Sequence, residues 1–307
     1  MNNSTTIHSL LAIALPLLAF AGLVSLAFVA PGAPQTQSAA AAPVITQEPL
    51  PDPFADIAIE GEAAIVYDTK TGETLYQKNA QQQVPLASLT KLMTTYLAVR
   101  DLGAETLIEI TADDLAKDGD AGLLLNELWA VRDLASFSLM NSSNDAAHAL
   151  TRTLGDTLGT DPGQYFTHEA RKIGLAQTYF LNGTGLDTSA TISGGYGSAR
   201  DIALLLEQLY TDIPQILTIA RAPQGTFVSA SGFNHAASST NILADTLPNL
   251  LAAKTGFTEL AGGNLAVLID ADVDHPVAIV VLGSSVEGRF SDVEMLTQAT
   301  KEYFSYR

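Results

Sequence analysis

The stretch Pro85-Leu86-Ala87-Ser88-Leu89-Thr90-Lys91-Leu92-Met93-Thr94 carries a lysine three positions after a serine. On a helix, positions i and i+3 share a face, so a hydroxyl and an amine would sit side by side. Pro85 suits a helix start, and Leu92, Met93, Leu97 and Val99 continue an apolar face. A helix is therefore predicted over Ser88 to Arg100. A serine hydroxyl is a weak nucleophile until a base takes its proton, and a lysine is a base only when neutral. Ser-x-x-Lys alone is common, so its surroundings decide its weight.

Two further signals follow in order, Ser142-x-Asn144 and Lys254-Thr255-Gly256. Helices are predicted over Val131 to Met140 and Asp145 to Leu154, so Ser142 and Asn144 fall where a helix breaks and would face a cleft. Ser142 is placed to relay a proton to a leaving amine. Asn144 would hold Lys91 and a substrate amide, or act as a plain helix cap. Lys254 and Thr255 would grip a terminal carboxylate, and the Lys254 charge would also lower the Lys91 pKa. Gly256 would let a substrate backbone lie close to an edge strand. The backbone N–H groups of Ser88 and Phe257 are the candidate oxyanion hole. Two decoys measure the specificity of these triplets. Lys70-Thr71-Gly72 falls in a probable hairpin turn, and Ser239-x-Asn241 lies in a serine-rich loop. Each triplet alone is close to noise, whereas the ordered set is specific.

Around these signals, Ala63 to Tyr67 and Thr74 to Gln77 read as a β-hairpin. Strands are expected at Thr106 to Ile110, Thr226 to Ala230, Asn264 to Ile269 and Val277 to Leu282. Helices are expected at Tyr165 to Ile173, Ala199 to Tyr210 and Asp292 to Phe304. Strands at both ends with helices between give an α+β fold, an antiparallel sheet flanked by helices with a helical insertion at about 100–220.

Leu10 to Ala30 is apolar apart from Ser25. As a helix it would span roughly 31 Å, the depth of a bilayer core. The reading is a short cytoplasmic tail (1–9), an uncleaved transmembrane signal anchor (10–30), a Pro/Ala/Gln-rich linker (31–55) and a catalytic domain (56–307). A cleaved signal peptide and a secreted product is the alternative. The expected location is the extracytoplasmic face of a bacterial cell membrane. With 33 acidic and 15 basic residues the net charge is −18, which disfavours nucleic acid as a partner. The chain has no cysteine, so disulfides, thiolate zinc sites and a cysteine nucleophile are excluded. The five histidines show no metal-ligand spacing, so neither a metal nor another cofactor is expected. His148 reads as packed or exposed, Arg289 as a carboxylate contact or, by preference, a surface residue, and Arg200 either as a cleft residue near Lys254 or as a salt-bridge partner of Asp201 or another acid.

From about residue 56 onward the chain resembles the serine D-Ala-D-Ala carboxypeptidases, the low-molecular-mass penicillin-binding proteins. The match extends beyond the three motifs to Asp68-Thr69-Lys70-Thr71-Gly72-Glu73-Thr74-Leu75-Tyr76, Asn182-Gly183-Thr184-Gly185-Leu186, Ser198-Ala199-Arg200-Asp201 and Lys254-Thr255-Gly256-Phe257-Thr258. The resemblance implies the β-lactamase/DD-peptidase fold, with an all-helical subdomain beside the sheet. It implies removal of the terminal D-Ala from peptidoglycan stem peptides through a Ser88 acyl-enzyme, and covalent capture by β-lactam antibiotics. Departures are Ser143 in place of a common glycine, Ala252 and Ala253 before Lys254, a short Thr111 to Leu125 stretch, and Thr184 where some members carry histidine. The alternatives are a β-lactamase with Glu169 as the glutamate that activates a deacylating water, a DD-endopeptidase, and a silent penicillin-sensing module.

Overall fold

The computed structural model describes residue 32 and residues 50–119 and 121–306. The predicted anchor at 10–30 and most of the linker lie outside the described residues. The chain divides into two units, Met1–Glu48 and Pro49–Arg307, and the second holds everything that follows.

It opens with the hairpin β1 (Ala63–Asp68) and β2 (Thr74–Lys78), then β3 (Val84–Pro85). A 3-10 turn (Ala87–Leu89) leads into α1 (Thr90–Leu97), which closes on a π turn (Ala98–Leu102). Next come β4 (Leu107–Glu109), β5 (Leu128–Ala130), α2 (Val131–Asn141), α3 (Asn144–Leu158) and α4 (Pro162–Lys172). They are followed by β6 (Tyr179–Phe180), β7 (Gly195–Gly197), α5 (Ala199–Asp212), α6 (Pro214–Ala220), β8 (Gln224–Val228) and β9 (Asn234–Ser238). The chain then returns to the sheet through β10 (Leu250–Thr258), β11 (Gly262–Asp270) and β12 (Pro276–Ser284), and ends in α7 (Gly288–Ser305).

The main sheet is antiparallel in the order β10-β11-β12-β1-β2. Its strands read as apolar runs because both faces are covered. Ile65, Ala266, Leu268 and Val280 face the helical region. Val66, Val267, Ile279 and Val281 face the opposite way, onto α7 residues Val293 and Leu296. At about 25 cal/mol per Å², burial on two faces is the main driving force for this layer. Phe54 packs on the α7 side, against Tyr76 and Tyr303.

The fold is the expected α+β arrangement, with refinements. The insertion between β2 and β10 carries short ribbons as well as helices: β4 pairs with β5, β6 and β3 with β7, and β8 with β9. The Asp68 turn decoy is turn chemistry: its carboxylate accepts from the Lys70 and Thr71 amides at 2.9 and 3.1 Å, and Gly72 has φ +75°. β9, as Asn-His-Ala-Ala-Ser, and the short α6 gave no periodic signal and were not anticipated.

Candidate active site

The nucleophile turn is held in a strained shape. Ala87, immediately before Ser88, has φ +47°, a left-handed conformation unfavourable for any residue with a Cβ. Three contacts enforce it. On β11, the fully buried Asn264 donates from Nδ2 to the carbonyls of Pro85 and Leu86, both at 3.1 Å. On β10, Gly256 lets the strand approach: a Cβ there would lie 2.9 Å from the Leu86 carbonyl oxygen and 3.3 Å from the Ser88 nitrogen. From the other side Gly185, at φ +79°, would place a Cβ 1.9 Å from the Ala87 carbonyl oxygen. Gly256 therefore serves the fit of strand to nucleophile turn, a role beside the substrate approach expected of it.

Lys91 follows one turn later and is fully buried. Its Nζ lies 2.8 Å from Ser88 Oγ, 2.7 Å from Asn144 Oδ1 and 2.7 Å from the Thr184 carbonyl oxygen. Burial pushes its pKa well below the ordinary lysine value, and the nearby Lys254 charge adds to that. A neutral amine beside a serine hydroxyl is the state a general base needs.

α2 ends at Asn141, and Ser142 takes the left-handed conformation at φ +62°. Ser143 caps α3, its side chain accepting from the Ala146 amide at 3.1 Å. Ser143 thus does the capping, which frees Asn144 from that job and corrects the plain-cap alternative. Asn144 Nδ2 donates to the Asp118 carbonyl at 2.6 Å, so its Oδ1 is the atom turned to Lys91.

Lys254 is also buried, with Nζ 2.8 Å from Ser142 Oγ and 2.8 Å from the Thr255 carbonyl. Burial, then the charge of Arg289, lower its pKa to about 7. Thr255 Oγ1 lies 2.5 Å from Thr240 Oγ1, so the Ser239-x-Asn241 loop, set aside as a decoy, borders the site through its middle residue. Phe257 is exposed on the edge strand β10. Two hydrogen-bonded groups thus face each other, Lys91 with Ser88 and Asn144, and Lys254 with Ser142 and the Thr255 carbonyl, close enough for the Lys254 charge to act on Lys91.

Other expectations change. Arg289 is buried, not a surface residue: its Nη1 donates to the Gly256 carbonyl at 2.8 Å. Arg200 stacks over the Tyr67 ring, while Asp201 binds the Gln177 amide and the Thr178 hydroxyl, so neither reading of Arg200 holds. His148 is packed on Asp114 at 2.7 Å. The Glu169 carboxylate is taken up by Arg100 at 2.8 Å and Lys172 at 2.7 Å, and is not poised to activate a deacylating water. Sequence reasoning missed Asn264, Thr240 and the two carbonyls of Thr184 and Asp118. An asparagine in an apolar strand was the one visible signal among them.

The family profile described as D-alanyl-D-alanine carboxypeptidase, peptidase S11, matches residues 46–286. The chain belongs to that family. It is 30% identical over 254 residues to the D-alanyl-D-alanine carboxypeptidase DacC of Escherichia coli, covering 78% of this chain and 60% of that protein. It is 26% identical to the D-alanyl-D-alanine endopeptidase of Escherichia coli, covering 80% of that protein. The chain thus spans about 60% of the length of the first curated carboxypeptidases it matches. Among solved structures it resembles penicillin-binding protein D2 of Listeria monocytogenes in its ampicillin-bound form, with TM-score 0.68, 30% identity and coverage of 80% of this chain and 99% of that one. The DD-transpeptidase of Streptomyces K15, at 20% identity and TM-score 0.70, shares the fold.

Proposed function

We propose that this chain is a serine DD-carboxypeptidase that removes the terminal D-Ala from peptidoglycan stem peptides and is acylated by β-lactams. The observation that carries the reading is the buried, charge-depressed Lys91 amine at 2.8 Å from Ser88 Oγ. In this reading Lys91 takes the Ser88 proton as Oγ attacks the carbonyl carbon of the penultimate D-Ala. The resulting oxyanion falls to the backbone N–H groups of Ser88 and Phe257. The peptide C–N bond breaks as the leaving amine receives a proton from the Lys91 ammonium through the Ser142 hydroxyl. Water then attacks the ester, its proton passing to Lys91, and returns Ser88 with release of the shortened peptide. The terminal carboxylate sits against Lys254 and Thr255, with the buried Arg289 guanidinium behind Gly256 adding positive potential. In the Lys254–Ser142 hydrogen bond the lysine donates, which leaves the Ser142 hydroxyl hydrogen available for the relay.

The apolar 10–30 segment supports an N-terminal membrane anchor holding this unit on the extracytoplasmic face. A fluorescent penicillin should label the full chain and fail to label Ser88→Ala. Release of D-Ala from a Lys-D-Ala-D-Ala peptide, with slow or absent hydrolysis of a chromogenic cephalosporin, is the expected pattern. Rapid cephalosporin turnover without D-Ala release would sink this reading in favour of a β-lactamase.

A further inference from the structure

The three neighbours of Lys91 Nζ differ in kind. The Thr184 carbonyl and Asn144 Oδ1, both at 2.7 Å, can only accept, whereas Ser88 Oγ at 2.8 Å can accept or donate. A neutral amine has two N–H groups and one lone pair. The two obligate acceptors take its two hydrogens, and the lone pair is left facing the Ser88 hydroxyl. Without the Thr184 acceptor the amine can turn an N–H towards Ser88 Oγ in place of the lone pair. The orientation of the base therefore depends on a backbone carbonyl.

That carbonyl is fixed by Asn182, two residues upstream. Asn182 Oδ1 accepts from the Thr184 amide at 3.1 Å, the Thr184 hydroxyl at 3.0 Å and the Gly185 amide at 2.8 Å, and Nδ2 donates to the Leu186 carbonyl at 2.9 Å. Asparagine suits such a turn because its side chain bonds the backbone just ahead of it. The turn is also wedged in place. A Cβ on Gly183 would lie 1.8 Å from Thr151 Oγ1 on α3, and one on Gly194 would lie 2.5 Å from Asn182 Nδ2. Thr94, buried on α1 three residues after Lys91, donates to the Gly183 carbonyl at 2.6 Å. One face of α1 thus carries both the base and a clip for the turn that orients it.

We propose that Asn182 is a positioning residue for acylation: it sets the Thr184 carbonyl so that the Lys91 lone pair meets the Ser88 proton, with Thr94 clipping the turn to α1. This rests on Lys91 being the base, as in the reading above. The arrangement has a signature in pH. Releasing the carbonyl costs the ammonium form of Lys91 an acceptor, which lowers its pKa; a carboxylate at position 182 favours the ammonium form, which raises it. Of the charged groups on neighbouring elements, Lys254 on β10 acts on Lys91. Asp187, beyond the turn, is engaged by Thr258 Oγ1, and Asp145, beside Asn144 on α3, accepts from the Ala121 amide.

The test is stopped-flow acylation of the full-length chain by benzylpenicillin across pH, resolved into the dissociation constant of the first complex and the rate of the chemical step. Asn182→Ala should slow the chemical step about tenfold or more, leave the dissociation constant within about twofold, and move the acid limb to lower pH. Asn182→Asp keeps an acceptor oxygen for the same three donors. It should retain more of the rate than Asn182→Ala and move the acid limb the opposite way, to higher pH. Thr94→Val, which removes the clip and keeps the side-chain shape, should repeat the alanine pattern more weakly. A variant that merely lost folded protein would label less at every pH with its limb unmoved. If Asn182→Ala does not fold, the aspartate and valine variants still decide. An acid limb that stays in place in the variants that fold, or a parental chemical step in Asn182→Ala, would overturn the proposal. A parent chain that benzylpenicillin does not acylate would instead count against the reading of Lys91 as base.

Discussion

Lys91 and Lys254 are both buried, yet the chemistry asks opposite things of them. Lys91 must be neutral to take a proton, and Lys254 must be charged to hold a carboxylate. Burial lowers both pKa values; the Lys254 charge lowers that of Lys91 further, and Arg289 lowers that of Lys254 to about 7. Acylation by a carboxylate-bearing β-lactam should therefore rise with pH as Lys91 loses its proton and fall as Lys254 loses its own, a bell whose limbs belong to the coupled pair. Lys254→Gln removes one neighbouring charge. The Lys91 pKa then rises, and the acid limb should move to higher pH while the maximal rate drops by about two orders of magnitude. Stopped-flow labelling across pH measures both; an acid limb that stays in place would show that the two amines are not coupled. A bound carboxylate acts on Lys254 in the reverse sense, favouring its charged form, so the alkaline limb should lie higher for the bound complex than for free enzyme.

The nucleophile turn depends on neighbouring strands more than on its own helix. Gly256→Ala would drive a methyl towards the Leu86 carbonyl and the Ser88 nitrogen. Acylation is expected to slow by about tenfold or more, since small displacements of a reacting group are costly. Asn264→Ala would remove the asparagine from the Pro85 carbonyl and from the Gly283 amide, now 2.8 Å from Asn264 Oδ1, and leave the Leu86 carbonyl only the Leu89 amide at 3.2 Å. A loss of about 2 kcal/mol in urea unfolding is expected, together with slower penicillin labelling; unchanged stability would mean that water replaces the asparagine. These elements also show what a sequence discloses. Ser88, Lys91, Ser142, Asn144 and Lys254 were legible because hydroxyl, amine and amide side chains at set spacings have few other uses in that order. The Thr184 and Asp118 carbonyls were not, because a backbone acceptor carries no side-chain identity. Gly256 was legible as a close approach, but the nucleophile turn as its partner was not: only the fold says which backbone of the chain arrives. Arg289 looked like a surface residue because nothing local marks its burial.

At the scale of the Pro49–Arg307 unit, a sheet buried on both faces lies between the nucleophile and the body of α7, which reaches the site only through Arg289 at its first turn, and a buried charge packs on α3, the helix that carries Asn144. Asp114 is fully buried and receives hydrogen bonds from Thr111, His148 and Arg152. Burial alone would raise its pKa, but the bonds from His148, Arg152 and Thr111 outweigh it and hold the carboxyl below the usual range. A depressed folded-state pKa adds stability that is complete above the unfolded value near about 3.9 and fades as pH falls through the folded one. Asp114→Asn should cost about 3 kcal/mol at neutral pH, with the gap to the parent narrowing only below about pH 4; thermal melts over pH 2–7 would reveal a flat difference if the charge were unimportant. Phe54, near the start of this unit, has its ring 6.0 Å from that of Tyr303, near its finish. The two extremities thus meet in one aromatic patch behind the sheet, while Ser88 works beyond the other face. Within the Pro49–Arg307 unit a short peptide bridge could therefore join the two extremities, and a new opening be cut at the exposed Asp272–Asp274 bend. Any cargo or tether fused at that seam would have the whole sheet between itself and the nucleophile.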